Sequence, residues 1–197
     1  MKNVINIRKA NREDSTNLAL LMDMAARGLS AWGWGQFAQK GQSPFEFGRE
    51  RIRTDNSSNL YFENWFVAEK NNKLIGAFLG FVVEDPYPVK DFDAIPKYFH
   101  PIIELEKCAS GCWLLQAISI LPEFRGKGYA KHLLKKVEEV AKNTGIDKIA
   151  LQVENENTVA FSFYEKSNYR EVDRRPSIPF PGSQDSGDYI LMSKCLD

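Results

Sequence analysis

The stretch from Trp113 to Thr144 constrains the fold more than any other part of the chain. Trp113 to Leu121 is nearly all apolar, as a strand buried on both faces should be, and it is the natural central strand of a sheet. A glycine-bearing turn follows, Pro122-Glu123-Phe124-Arg125-Gly126-Lys127-Gly128. From Gly128 or Tyr129 to Thr144, the residues Ala130, Leu133, Leu134, Val137, Val140 and Ala141 form one apolar stripe at helical spacing, and Gly145 falls where a left-handed cap belongs. A buried strand running through a tight turn into an amphipathic helix predicts an α/β protein.

The rest of the chain supplies partners for that unit. Val4 to Arg8 alternates as a short strand, and Asp14-Ser15 is placed to cap a helix carrying Leu18, Leu21, Met22 and Ala25. Leu29 to Gly48 is rich in glycine and aromatics with poor periodicity, and reads as a helix or loop that covers something. Trp65–Glu69 and Leu74–Val83 are strand-like, and Lys70-Asn71-Asn72-Lys73 between them tolerates positive φ, so they form a hairpin. Residues 84–110, with Pro86, Pro88, Pro96 and Pro101 and a short helical pattern at Ile102, Ile103 and Leu105, read as an insertion. Lys148–Glu154 is a strand, Thr158–Ser167 a helix, and Tyr169–Val172 with Tyr189–Lys194 a terminal hairpin around a proline- and glycine-rich loop at 174–188.

At 197 residues, one domain (1–197) with that insertion and that loop is expected. A chain of this size buries about 70% of its unfolded surface and needs no disulfide or metal for stability. Hydrophobic residues at 43% and charged residues at 26% place it among folded globular chains. Lys plus Arg and Asp plus Glu both number 26, so no global field draws nucleic acid or an anionic membrane. No run approaches the roughly 18 apolar residues of a membrane helix. The three cysteines, Cys108, Cys112 and Cys195, are an odd count behind a start without a signal-peptide core, which points to the cytoplasm.

The glycine turn has the makings of an anion cradle, because glycines let successive N–H groups turn inward and a helix N-terminus favours phosphate oxygens. An NTPase loop needs Ser or Thr after Gly-Lys, but Gly128 follows Lys127; a dinucleotide turn needs a third glycine where Lys131 stands. What fits is Arg/Gln-x-x-Gly-x-Gly/Ala, present as Arg125-Gly126-Lys127-Gly128-Tyr129-Ala130 after Ile118-Ser119-Ile120. Downstream stands Asn157-Thr158-Val159-Ala160-Phe161-Ser162-Phe163-Tyr164-Glu165-Lys166. The two motifs, in that order, resemble the acetyl-CoA loop and the Asn-x-x-Ala-x-x-x-Tyr-Glu-Lys signature of the GNAT superfamily of N-acetyltransferases. The resemblance is strong from about Trp113 to Tyr169.

That resemblance implies a mixed, largely antiparallel sheet of six or seven strands covered by helices. It implies that the backbone of Ile118, Ser119 and Ile120 bonds the pantetheine arm of acetyl-CoA, that amides of Arg125, Gly126, Lys127, Gly128, Tyr129 and Ala130 hold the pyrophosphate, and that Asn157 reaches the pantetheine. Tyr164 matches the tyrosine that protonates the departing CoA thiolate; a phenol, with an ordinary pKa near 10, is protonated at neutral pH. The reaction implied is direct acetyl transfer to a primary amine on a small molecule or peptide, with no metal, and a homodimer is compatible with it. Alternatives of the same lineage are an acyltransferase using another acyl-CoA and a non-catalytic acetyl-CoA or CoA sensor.

The sequence departs from the family in two places. Ser167-Asn168-Tyr169 stands where glycine and phenylalanine are usual, and asparagine still accepts the left-handed conformation. The central strand, Gly111-Cys112-Trp113-Leu114-Leu115-Gln116, carries no carboxylate to serve as general base; Glu84, Asp85, His100, Glu104, Glu106 and Glu154 all remain open for that role. Cys108-x-x-x-Cys112 with His100 lacks a fourth ligand and zinc-like spacing, so these are thiols rather than a metal centre. His132, Lys135 and Lys136 read as a solvated helix face. Trp32, Trp34 and Phe37 line either an acceptor pocket or a satellite core, and Asp185 and Asp188 are placed to attract a cationic amine.

Overall fold

The computed structural model describes residues 5–89, 91–183 and 187–196. Along the chain run β1 (Asn6–Lys9), α1 (Ser15–Ala25), α2 (Leu29–Gly35), α3 (Pro44–Thr54), β2 (Trp65–Lys70), β3 (Lys73–Val82), α4 (His100–Cys108), β4 (Trp113–Ile120), α5 (Tyr129–Lys142), β5 (Lys148–Glu154), α6 (Thr158–Lys166), β6 (Arg170–Pro176) and β7 (Asp188–Cys195). The strands form a seven-stranded sheet in the order β1-β2-β3-β4-β5-β7-β6. Its β4–β5 pair is parallel, whereas β1–β2, β2–β3, β5–β7 and β6–β7 are antiparallel. The expected mixed, largely antiparallel α/β architecture is therefore present. No helix among the described residues is long and apolar enough to cross a membrane.

The chain divides into two compact units, the first comprising residues up to Gly80 together with Ala117–Val137. In it β1, β2 and β3 lie in antiparallel register, and Asn71 and Asn72 take φ of 50° and 60°, the twist a two-residue hairpin needs. Val4, assigned to the first strand from sequence, lies outside the described residues. Apolar side chains of α1 (Leu18, Leu21), α2 (Trp34), α3 (Ile52) and the strands (Trp65, Val67, Ala77, Leu79, Ala117) share one core.

The segment left open between helix and loop contains two helices. Ser43-Pro44-Phe45-Glu46 starts α3 with a reciprocal capping box, Ser43 Oγ accepting the Glu46 N–H (3.2 Å) and Glu46 accepting the Ser43 N–H (2.7 Å). Gly48 lies beneath the Trp34 indole, where a Cβ would stand 2.4 Å from a ring carbon. Asp14 takes the N-cap position of α1 as expected, but its side chain makes no capping bond there; Asn11 caps the 3₁₀ turn Arg12–Asp14 that precedes it, its Oδ1 accepting the Glu13 and Asp14 N–H groups. The Asp14 carboxylate accepts the Asn11 N–H (2.8 Å) and pairs with the Arg8 guanidinium, which also holds Glu69 (2.7 Å).

Two stability predictions arise in this unit. A Cβ on Gly76 would stand 2.6 Å from the Ser119 carbonyl oxygen, a backbone atom that cannot swing aside. Gly76→Ala is expected to cost about 1–3 kcal/mol, which for a chain of this size lowers the thermal midpoint by several degrees. A calorimetric scan checks it, and an unchanged midpoint refutes the close approach. Burial pushes the Asp23 carboxyl up, against the Ala31 N–H that it accepts at 2.7 Å. With the folded value above the unfolded one, the native state binds more protons, and stability is lost as pH rises through that window. Asp23→Asn keeps the acceptor for Ala31 and removes the charge. Its thermal midpoint at pH 7 should exceed that of the parent, with the gap closing below about pH 4; a lower midpoint at pH 7 contradicts this account.

The second unit comprises Phe81–Gln116 and the residues from Glu138 onward. Here the proline-rich segment expected as an insertion contains several local turns. Two single 3₁₀ turns, Phe92–Ala94 and Lys97–Phe99, lead into α4, and His100 Nε2 lies 3.0 Å from the Phe92 carbonyl and 2.8 Å from that of Ile95. Leu105 and Ala109 then pack on Val83, Leu114, Ala150 and Leu191. Asn168 ends α6 at φ 69°, as its residue type predicts. The terminal hairpin is longer than the sequence pattern suggests, because β6 continues through Arg174 and Arg175 to Pro176. These charged residues pair within the unit: Arg174 holds Glu171 and Asp188, while Arg175 holds Asp173 and Glu104.

Candidate functional site

In the first unit, the end of β4 from Ala117, the turn and the start of α5 form one continuous backbone path. The Leu121 N–H donates to the Ile75 carbonyl of β3 at 2.9 Å. Peptide groups alternate in direction along a strand, so the N–H groups of Ile120 and, by the same alternation, Ile118 point to the opposite edge. On that opposite edge the Ile120 carbonyl receives Arg125 Nε at 2.9 Å. The role of Arg125 is thus intramolecular: it clips the turn to the end of the strand.

After Arg125 the backbone reverses through Gly126 (φ 72°) and Gly128 (φ 81°). Residues 125–128 are all exposed, and no atom lies within 4 Å of where a Cβ would sit on either glycine. Left-handed residues alternating with ordinary ones turn consecutive N–H groups toward one point, and the N-terminus of α5 adds its own dipole. The Lys127 ammonium folds back onto the Glu123 carbonyl at 2.7 Å and over the Phe124 ring. Tyr129 is buried, its hydroxyl accepting a hydrogen bond from Lys70, so only its amide faces the turn. An arrangement of this kind binds a polyanion through backbone rather than side chains.

The second unit holds the other sequence-predicted residues. Asn157 caps α6, its Oδ1 accepting the Ala160 N–H at 3.3 Å, and its side-chain NH2 group is left to donate elsewhere. Tyr164 is 7% exposed, set edge-on to Tyr169 with centroids 5.8 Å apart and against Phe163 at 5.5 Å. Burial drives its phenol well above the ordinary tyrosine value, and its hydroxyl makes no hydrogen bond among the described residues. It is a protonated donor without an acceptor among the described residues. Tyr169 differs, giving its hydroxyl to Glu138, which also holds Lys194.

The alternatives left open by the sequence separate once their partners are known. Glu104 is paired with Arg175, and Glu106 accepts the Tyr87 hydroxyl at 2.9 Å. Asp188 is tied to Arg174, and Asp185 lies outside the described residues. Trp34, 4% exposed, belongs to the core, whereas Phe37, 60% exposed, stacks on Phe47 at the surface. Cys108, Cys112 and Cys195 are free thiols, and burial raises the first two. No group of three or more metal-ligating side chains occurs among the described residues. His132 lies on an exposed face of α5. One residue passed over in the sequence stands out: Gln116 is exposed within a strand whose neighbours Leu115 and Ala117 are buried.

Residues 32–169 match the family model described as the acetyltransferase (GNAT) family. Among curated proteins, a spermidine N(1)-acetyltransferase from Thermoplasma acidophilum is 33% identical over 92 residues, 47% of this chain and 50% of that protein. N-alpha-acetyltransferase 30 from Schizosaccharomyces pombe is 38% identical over 74 residues, 38% of this chain and 49% of that protein. The chain thus spans about half the length of these curated relatives. Among solved structures, the PaiA N-acetyltransferase from Thermoplasma acidophilum in complex with coenzyme A superposes with a TM-score of 0.58 at 20% identity, covering 98% of this chain and 99% of that one.

Proposed function

The chain belongs to the acetyltransferase (GNAT) family, and on that footing we propose that it transfers acetyl from acetyl-CoA to a primary amine by direct attack. The observation that carries this reading is the exposed, side-chain-free turn of Gly126 and Gly128 opening onto α5, which suits a pyrophosphate. The amides of Arg125 to Ala130 would hold that group. The edge of β4 facing away from β3, with the backbone of Ile118 and Ile120, would take the pantetheine, whereas the Ser119 carbonyl faces Gly76 of β3; the free NH2 group of Asn157 would bond the pantetheine as well.

The chemistry then needs three things. A strand N–H near Ile118 polarises the thioester carbonyl; the neutral amine attacks it and forms the C–N bond; and as the C–S bond breaks, Tyr164 gives its proton to the departing thiolate. The amine's surplus proton leaves to water, and the phenol is reprotonated from solvent. Burial keeps the phenol protonated at neutral pH, so Tyr164 has a proton to give when the thiolate forms beside it.

Residues 1–197 act as one catalytic domain in this reading, which the span of the family match across residues of both units supports. Three free thiols are in keeping with a reducing, cytoplasmic setting. Acceptors worth testing first are polyamines and peptide N-termini. The deciding experiment measures CoA thiol release from acetyl-CoA across a panel of amines and peptides, with a no-acceptor control. Release that depends on one amine class supports the transferase. Tight acetyl-CoA binding with no release turns the reading toward a sensor, and absence of binding removes it.

A further inference from the structure

The parallel register of β4 and β5 runs Trp113↔Ile149, Leu114↔Ala150 and Leu115↔Leu151 and ends there, and the next residue on each strand is a glutamine, Gln116 and Gln152. Leu114 and Ala150, opposite one another, both enter the core that Leu105 and Ala109 complete. Side chains alternate along a strand, so two residues on, Gln116 and Gln152 lie on that same face. Gln152 bears this out, since its Nε2 donates to the Ile102 carbonyl of α4 at 3.0 Å. Its buried Oε1 has no hydrogen-bond partner among the described residues.

Gln116 differs from its surroundings. Leu114, Leu115 and Ala117 are buried, but the Gln116 carboxamide is exposed and makes no hydrogen bond among the described residues. A side chain midway along an interior strand reaches solvent only where the covering layer is open. Partly buried Phe81, Tyr87 and Ile102 border the core on that face. A glutamine here contributes nothing to a strand that is otherwise apolar, and its chemistry is that of a neutral donor and acceptor beside apolar walls.

We propose that Gln116 positions the acceptor, its Oε1 accepting one N–H of the attacking amine. This rests on the transferase reading and deepens it, supplying a group where the strand carries no carboxylate. A carboxamide stays uncharged across the working pH range and binds the neutral amine through an N–H, which leaves the nitrogen lone pair free to attack. A carboxylate would instead favour the ammonium form, which has no lone pair. Gln116 takes no proton in the step. Along the strand it stands two residues, about 6.6 Å, before Ile118.

The test uses the full chain, with acetyl-CoA against spermidine, phenethylamine and a tetrapeptide with a free N-terminus as probes. Gln116→Leu keeps the bulk and removes both hydrogen-bonding atoms. With the probe that the parent turns over best, kcat/KM for the acceptor should fall about 10-fold or more, while the acetyl-CoA Kd by calorimetry and the thermal midpoint stay unchanged. If leucine lowers the midpoint, Gln116→Ser makes the same comparison. An unaltered acceptor kcat/KM in the folded variant overturns the proposal and leaves the transferase standing. A matching loss of acetyl-CoA affinity also overturns it, because Gln116 would then serve the coenzyme. A parent chain that neither binds acetyl-CoA nor releases CoA with any probe removes the transferase reading, and this inference with it.

Discussion

Tyr164→Phe is expected to lower kcat by about 100-fold or more while leaving acetyl-CoA affinity within a factor of about two. The substitution deletes one oxygen from a ring that keeps its packing against Tyr169 and Phe163. Because the hydroxyl bonds no described residue, its removal leaves no buried partner unsatisfied, and the fold should tolerate it. Single-turnover kinetics with the thiol release monitored directly, alongside calorimetric binding of acetyl-CoA, separates the chemical step from affinity. A kcat near that of the parent means that water, not Tyr164, protonates the thiolate. A collapse of acetyl-CoA binding means that the phenol belongs to the coenzyme's binding surface instead.

Gly128→Val should act at the other end of the proposed reaction, raising the acetyl-CoA Kd by about 10- to 100-fold. Gly128 sits at φ 81°, and a β-branched residue forced into the left-handed region costs about 1–2 kcal/mol before any ligand arrives. The backbone escapes that strain by rotating, and rotation turns the N–H groups of the turn away from a common point. Nothing lies within 4 Å of the added Cβ, so the core of α5 is untouched and the thermal midpoint should move little. The expected signature is therefore lost affinity for acetyl-CoA and for free CoA alike, with the stability retained. Equal affinity in parent and variant would mean that the turn holds no phosphate.

Both predictions concern features that are local in the chain, and such features are legible in the sequence. The helix stripe from Ala130 to Ala141, the Asn71-Asn72 turn, the cap at Asn168 and the two-glycine turn each arise from residues within a few positions of one another. Backbone preference alone settles them. The Ser43-Pro44-Phe45-Glu46 capping box was equally local; it lay within a stretch whose aromatic residues obscured the helical period. Asp14 stands at the expected N-cap position of α1 without bonding its amides, since its carboxylate is held by the Asn11 N–H and by Arg8.

What the amino-acid order determined by itself is the succession of strands and helices and the shape of the glycine turn, because steric limits on φ and ψ act residue by residue. Tertiary structure alone decided which polar groups keep a hand free. Asp188 and Glu104 are occupied by arginines of β6, and the Trp34 indole is taken up by the core over Gly48. The Gln116 carboxamide, in contrast, is left in solvent at the point where β4 and β5 cease to pair. Burial and pairing are set by residues tens of positions apart, and a side chain's availability for chemistry depends on them rather than on its sequence neighbours.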